Sequence, residues 1–170
     1  MRKTSYYYFL LSLIAHSALA ESRLRSQAPH VLSFELFGRS FLYGVQYDRT
    51  VGPAWCAGMG LAKISAEGDS PSSSSGSTWV IPLFTHYYLT EQDHSPLLTA
   101  GITLLPQGPA LQGRHAIQGT TVFPSVPFLA TLGAGYEWRQ DSGFIFRTSG
   151  FLTWGGNLAP ALGIVFGQAF

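Results

Sequence analysis

The sequence predicts an all-β protein: an eight-stranded, antiparallel, up-and-down transmembrane barrel that follows an N-terminal signal peptide. The composition is the first observation, since the 170 residues are 46% hydrophobic, 14% aromatic and only 11% charged. A typical globular domain is about 25% charged. Nineteen glycines and ten prolines disfavour a helical bundle, and the aromatic content excludes a disordered chain. A formal net charge of +1 provides no basic surface for nucleic acid.

The N-terminal leader is the second observation. Arg2 and Lys3 precede an apolar stretch over residues 6–15, and Ala18-Leu19-Ala20 has the pattern of a cleavage site. The apolar stretch is shorter than the roughly 20 residues that a membrane-spanning helix requires. We therefore expect a signal peptide over 1–20, a lead-in over 21–29 and one barrel domain over 30–170. Cys56 is then the single thiol of the mature chain, and we expect it to be buried.

A period of two in hydrophobicity is the third observation, and it is typical of strands with two different faces. Leu98, Ala100, Ile102 and Leu104, for example, alternate with smaller or polar residues. Because Pro124 and Pro127 lack an amide hydrogen, residues 121–127 are either loop or edge strand. The pattern predicts eight strands, at 30–37, 40–49, 54–64, 78–90, 96–105, 121–138, 143–154 and 158–169.

The two faces of the predicted strands differ in residue size. One face carries small residues, which suit the narrow lumen of an eight-stranded barrel. The other face carries large apolar residues, including Phe41 and Tyr43 in the second strand. Aromatic residues near strand ends on this face are typical of membrane interfaces. We predict interfacial positions for Tyr47, Trp55, Trp79, Tyr87, Tyr136, Trp138 and Trp154.

The lengths of the connections indicate a sidedness. The long connections, Ser65–Ser77 and Pro106–Thr120, follow the third and fifth strands. The connections after the second, fourth and sixth strands are short and rich in turn residues. Long outside loops and short periplasmic turns are typical of outer-membrane barrels. We therefore expect both termini on the periplasmic side and the two long loops outside the cell.

A few charged residues fall on the small-residue face. Isolated buried charges are costly, so these residues are expected to pair inside the lumen. An ion-pair network that fills a closed lumen is favoured over a gate or narrow pore, because eight strands leave little open space. The predicted network contains Glu35, Asp48, Glu137, Arg139 and Arg147, with Gln46 on the same face.

The C-terminal segment carries a resemblance to a known group of proteins. GAGYEWRQDSGFIFRTSGFL followed by PALGIVFGQAF resembles the last three strands of small bacterial outer-membrane β-barrel proteins. The segments FELFG (34–38) and YGVQYDR (43–49) are similar to the opening hairpin of that group. Phe166 and the terminal Phe170 resemble its assembly signal, although Gln168 stands where that signal is usually apolar.

The resemblance implies a monomer in the bacterial outer membrane, with membrane lipid and the outer-membrane assembly machinery as partners. We expect no cofactor, metal or catalytic residue, and a structural or surface-interaction role through the outside loops. One alternative is a lipid-A-modifying enzyme, a deacylase or an acyltransferase. His86, His94, Ser95 and His115 raise that alternative, but no His-x-Ser pair of the deacylase kind occurs in the mature chain. The other alternative is a secreted soluble barrel that binds a small apolar ligand, as lipocalins do.

Overall fold

A computed structural model describes residues 23–66, 76–106, 116–117, 120–121, 128–155 and 158–170. The chain begins there with a short helix, α1 (Arg23–Gln27), and a 3-10 turn, Gly38–Ser40, follows the first strand. The strands are β1 (His30–Phe37), β2 (Tyr43–Thr50), β3 (Trp55–Ala66), β4 (Gly76–Tyr88), β5 (His94–Leu104), β6 (Ala116–Ile117), β7 (Thr120–Thr121), β8 (Phe128–Arg139), β9 (Phe144–Trp154) and β10 (Leu158–Ala169).

Eight of these strands close into an antiparallel barrel in the order β1-β10-β9-β8-β5-β4-β3-β2. The predicted eight-stranded antiparallel barrel is thereby confirmed. The first and last strands join the ends of the sheet, with Phe34 opposite Phe166. The two-residue strands β6 and β7 pair with each other outside the barrel sheet.

The connections divide between the two ends of the barrel. The short-turn end holds residues 51–54, 89–93 and 140–143, together with the start of β1 and the end of β10. There the backbone amides of His30 and Phe170 each donate a hydrogen bond to the other residue's carbonyl. The opposite end, called here the long-loop end, holds the end of β3, the start of β4, the end of β5 and the start of β8. The strand ends that border the two long connections therefore lie at the same end of the barrel, as the odd-numbered positions of these connections predict.

Alternation fixes which side chains face the lumen. In β2, for example, Gln46 and Asp48 are buried while Val45, Tyr47 and Arg49 are exposed. The exposed face of the other strands is mainly apolar, and it includes Leu83, Leu98, Ile102, Leu132, Leu152 and Leu162. Most large apolar side chains thus point away from the barrel axis, while polar and small side chains point toward it together with a few large ones such as Phe84, Ile145 and Phe151.

The predicted first residue of the second strand is wrong. It was expected at residue 40, with Phe41 on the outward face, but β2 begins at Tyr43. Phe41 has a φ of 65° and packs inside the barrel against a cluster that contains Ala62 and Val80. The reason is the turn at Gly38–Ser40, which folds inward and reverses the alternation before β2 begins.

The other strand boundaries differ from the prediction by a few residues. β3 and β4 each extend two residues beyond the expected range at the long-loop end, because their backbone pairing continues to Ala66 and Gly76. The sixth barrel strand, β8, begins at Phe128. The prediction about 121–127 falls almost wholly outside the described residues, as do the predicted signal peptide and loop residues 67–75.

Candidate functional site: the polar lumen

The interior of the barrel contains most of the buried charged side chains of the described residues. Four arginines and three carboxylates are buried there, each with no more than 3% of its surface exposed. Charges at this depth require partners, because removing an ion from water costs several kcal/mol. The seven residues are Arg25, Glu35, Arg39, Asp48, Glu137, Arg139 and Arg147.

Arg147 on β9 connects three other strands of the barrel wall. Its Nη2 lies 2.7 Å from Oε2 of Glu137, its direct cross-strand partner on β8. Its Nη1 reaches across the lumen to Oδ2 of Asp48 on β2, at 3.2 Å. The same nitrogen lies 2.9 Å from Nε2 of His86 on β4. One guanidinium therefore binds side chains from opposite walls and fills the middle of the lumen.

The hydrogen bonds around Arg147 fix the roles of its neighbours. A guanidinium can only donate, so Nε2 of His86 accepts and the imidazole is neutral with its proton on Nδ1. The Tyr88 hydroxyl donates to Oε2 of Glu137 at 2.8 Å. The Cys56 thiol donates to Oδ1 of Asp48 at 3.3 Å, and Cys56 is buried as expected. These bonds divide the acceptor oxygens of both carboxylates among several donors.

The short helix α1 brings a further arginine to the short-turn end of the lumen. Arg25 donates to the carbonyls of Thr90 and Gln92 in the turn between β4 and β5. Its guanidinium carbon lies 3.8 Å from the centre of the Tyr88 ring, and its Nη2 lies 3.5 Å from Oε1 of Glu137. Arg139 contacts the same carboxylate oxygen at 3.5 Å. Two arginines and the lead-in segment thus cover this end of the lumen.

At the long-loop end, the inward turn after β1 places Arg39 in the lumen. Its guanidinium carbon lies 4.8 Å from the ring centre of Phe84 and 4.4 Å from that of Phe151, and it donates to Thr99. Arginine keeps its charge in proteins, so a cation lies against these two rings. The Ser40 amide and hydroxyl both donate to Oε2 of Glu35, which holds the turn in place.

The inward turn is conformationally strained. Phe37 and Phe41 have φ values of 61° and 65°, a region that bulky L-residues rarely adopt. Such residues cost on the order of 1–3 kcal/mol each and persist only when the surroundings hold them. Here the surroundings are the Glu35–Ser40 bonds and the stacking of Arg39 between two aromatic rings. The unusual backbone conformation of this turn is what directs Arg39 into the barrel.

The predicted lumen residues separate into two groups. Asp48, Glu137, Arg139 and Arg147 lie in one connected network of ion pairs. Glu35 does not join that network, and its carboxylate is instead bound by Ser40. The inward turn at 38–40 lies against Glu35 and supplies the donors that its carboxylate binds. Gln46 is also buried and faces the lumen.

Sequence reasoning missed several members of this site. Arg25 and Arg39 lie outside the strands, so no alternation assigns them to the lumen. His86 and Tyr88 could have been found, because they share the inward parity of Thr78 and Val80 on β4.

The candidate hydrolase residues do not meet in the described structure. His94 is exposed on the outer face and stacks on Trp138, with ring centres 6.2 Å apart. Ser95 is buried, and its hydroxyl donates to the carbonyl of Thr90 at 2.7 Å. Their side chains point to opposite sides of the sheet, as extended geometry predicts. His86 is held in the lumen network, and His115 lies outside the described residues.

The predicted interfacial aromatics all lie on the outer surface. Most of them surround the short-turn end, where the rings of Trp55 and Tyr87 have centres 4.9 Å apart. Trp79 and Trp154 lie near the long-loop end of β4 and β9. The remaining members of the set at the short-turn end are Tyr47, Tyr136 and Trp138.

The predicted assembly residues share this outer face. Phe166 packs on Phe146 with ring centres 5.2 Å apart, and Phe170 stacks on His30 at 5.7 Å. Gln168, which departs from the expected apolar signal, donates from its side-chain amide to the Ser142 carbonyl at 2.8 Å. That bond ties the last strand to the turn between β8 and β9.

Comparison of the chain with protein-family models, curated proteins and solved structures finds no match. Among the described residues, none of the helices is long and apolar enough to cross a bilayer. The same residues contain no group of three or more His, Cys, Asp or Glu side chains positioned to hold a metal ion.

Proposed function

We propose that this protein is an integral outer-membrane barrel that presents its two long loops outside the cell and acts through them as a structural or surface-interaction protein. The observation that carries the proposal is the distribution of polar residues in this barrel, which is the reverse of that in a water-soluble barrel. Its outward face is apolar around the strands, while its interior contains buried ion pairs. Monomers in water rarely expose contiguous apolar patches larger than a few hundred Å².

The aromatic residues support the same placement. Tyrosine and tryptophan rings at both ends of an apolar band are typical of membrane barrels. The strands of 8–13 residues are compatible with a tilted crossing of the hydrocarbon region, for which about 9–11 residues suffice. The signal peptide expected over 1–20 supports export of the chain.

A closed lumen favours a role through the loops over a role in transport. Arg147 crosses the middle of the barrel, Arg39 closes the long-loop side and Arg25 the short-turn side. The barrel is therefore expected to be non-conducting in planar bilayers. The soluble ligand-binding alternative is disfavoured, because such a barrel needs its row of apolar side chains to face inward. The alternative of a lipid-A-modifying enzyme is not supported by His94 and Ser95, because their side chains point to opposite sides of the sheet.

Intrinsic tryptophan fluorescence tests the membrane placement. All four tryptophans of the chain lie on the outward face, two near each end of the barrel. In vesicles of brominated phosphatidylcholine, bromines near the headgroup should quench them more strongly than bromines near the chain ends. Acrylamide in the aqueous phase serves as the control. Quenching by acrylamide without any quenching by the brominated lipids would contradict the proposal.

Photo-crosslinking on intact cells tests the role of the loops. A photoreactive residue at Ser73, between β3 and β4, should capture molecules of the cell surface. The same residue at Ser142, in the turn between β8 and β9, is the matched control at the short-turn end. Surface molecules captured at Ser142 and not at Ser73 would reverse the proposed sidedness.

A further inference from the structure

The outward faces of the described barrel strands carry two residues of formal charge, and both are cations. They are Arg49, the penultimate residue of β2, and Lys63 on β3. The four ion pairs of the described residues all lie in the lumen, and neither cation takes part in them. Within the described residues, Arg49 therefore has no carboxylate at ion-pair distance.

The two cations lie at opposite borders of the apolar surface. Arg49 is paired with Ala57, and Lys63 lies six residues further along β3, opposite Trp79. At about 3.3 Å per residue this separation is ~20 Å along the strand, or ~15 Å along the membrane normal for a tilt of about 40°. Long cationic side chains extend outward to reach the borders of an apolar band about 25 Å tall.

Arg49 is the cation that has polar and aromatic neighbours on the same face of the sheet. His30 is its direct cross-strand partner on β1, and Tyr47 lies two residues before it on the same face. Nδ1 of His30 lies 2.6 Å from the Tyr47 hydroxyl. The His30 ring is stacked against both Tyr47 and Phe170, with centres 6.0 and 5.7 Å away. The strand register thus places Arg49 beside a hydrogen-bonded imidazole and phenol, with the ring of Phe170 against the imidazole.

We propose that Arg49, His30 and Tyr47 bind the phosphate of a phospholipid headgroup in the membrane leaflet at the short-turn end. This inference rests on the proposed membrane placement. The guanidinium is suited to two parallel hydrogen bonds with phosphate, and the histidine–tyrosine pair offers a further donor. The aromatic ring of Phe170 borders the glycerol region, and the apolar side chains of Val45 and Met59 continue the surface toward the acyl chains.

Lipid binding by the purified protein tests the proposal. The full chain is delipidated in a neutral maltoside detergent and titrated with phosphatidylglycerol, and bound lipid is counted by native mass spectrometry. Diacylglycerol with the same acyl chains is the phosphate-free control lipid. Arg49→Gln should weaken phosphatidylglycerol binding about tenfold, equivalent to ~1.4 kcal/mol. That loss is close to the lower value for a hydrogen bond to a charged group.

Lys63→Gln is the matched control variant, because it removes the same charge from the other end of the barrel. It should leave this binding step unchanged, and His30→Phe, which keeps the stacked ring, should cause a smaller loss than Arg49→Gln. Equal losses for Arg49→Gln and Lys63→Gln, or equal binding of diacylglycerol, would overturn the site. These outcomes leave the membrane placement standing, which fails separately if brominated lipids do not quench the tryptophans.

Discussion

Removing the central arginine is the most direct test of the lumen network. In Arg147→Met, Glu137 keeps Arg25 and Arg139, each 3.5 Å from its Oε1. Asp48 loses its ion pair with Arg147 and keeps the weak thiol donor of Cys56, although only 1% of its surface is exposed. The variant therefore creates an uncompensated buried carboxylate.

Breaking a buried ion pair by removing one partner costs about 3–5 kcal/mol. That is a large part of a total stability of roughly 5–15 kcal/mol. We expect Arg147→Met to lower the free energy of unfolding by this amount. Adding Asp48→Asn should recover most of the loss, because the amide removes the unpaired charge while it retains the shape of the side chain.

Urea unfolding in neutral detergent micelles, followed by tryptophan fluorescence, measures these changes as shifts of the midpoint at constant m-value. Lys63→Met is the matched control, since Lys63 is exposed and lies outside the lumen network; its effect should stay within about 0.5 kcal/mol. A loss below ~1 kcal/mol in Arg147→Met, or no recovery on adding Asp48→Asn, would refute the assignment of Arg147 as the residue that neutralises the lumen carboxylates.

Three further predictions concern assembly, sidedness and the two faces of β5. Deleting Phe170, which closes the seam between β1 and β10 through backbone bonds to His30, should reduce the heat-modifiable folded protein in outer-membrane fractions; an unchanged folded yield would contradict this role. An epitope tag inserted within Ser72–Ser75 should bind antibody on intact cells, and binding only after permeabilisation would contradict the sidedness. In a Cys56→Ser background, a fluorophore at Ala100→Cys should be quenched by lipid-borne probes and one at Thr99→Cys should not, because these neighbours face opposite sides of the sheet. Equal quenching at the two positions would contradict the assigned faces.

Part of the site follows from the sequence because alternation is a local property. Neighbouring side chains of a strand must point to opposite faces, so the parity of Leu98 and Thr99 could be assigned without knowing any partner strand. The inward positions of Asp48, Glu137 and Arg147 follow in the same way, and so do the outward tryptophans. The cost of isolated buried charge then predicts that these residues find partners.

The tertiary structure alone decided which residues become partners. Asp48 and Arg147 are 99 positions apart, and only closure of the barrel brings their strands to opposite walls within reach of one another. The same holds for Arg25 and Arg39, which no alternation governs, and for Phe41, which the strained turn carries inward. Period-two patterning determines the face of each strand residue. Pairings across the lumen depend on strand order, register and the space that remains inside, and these are properties of the closed sheet as a whole.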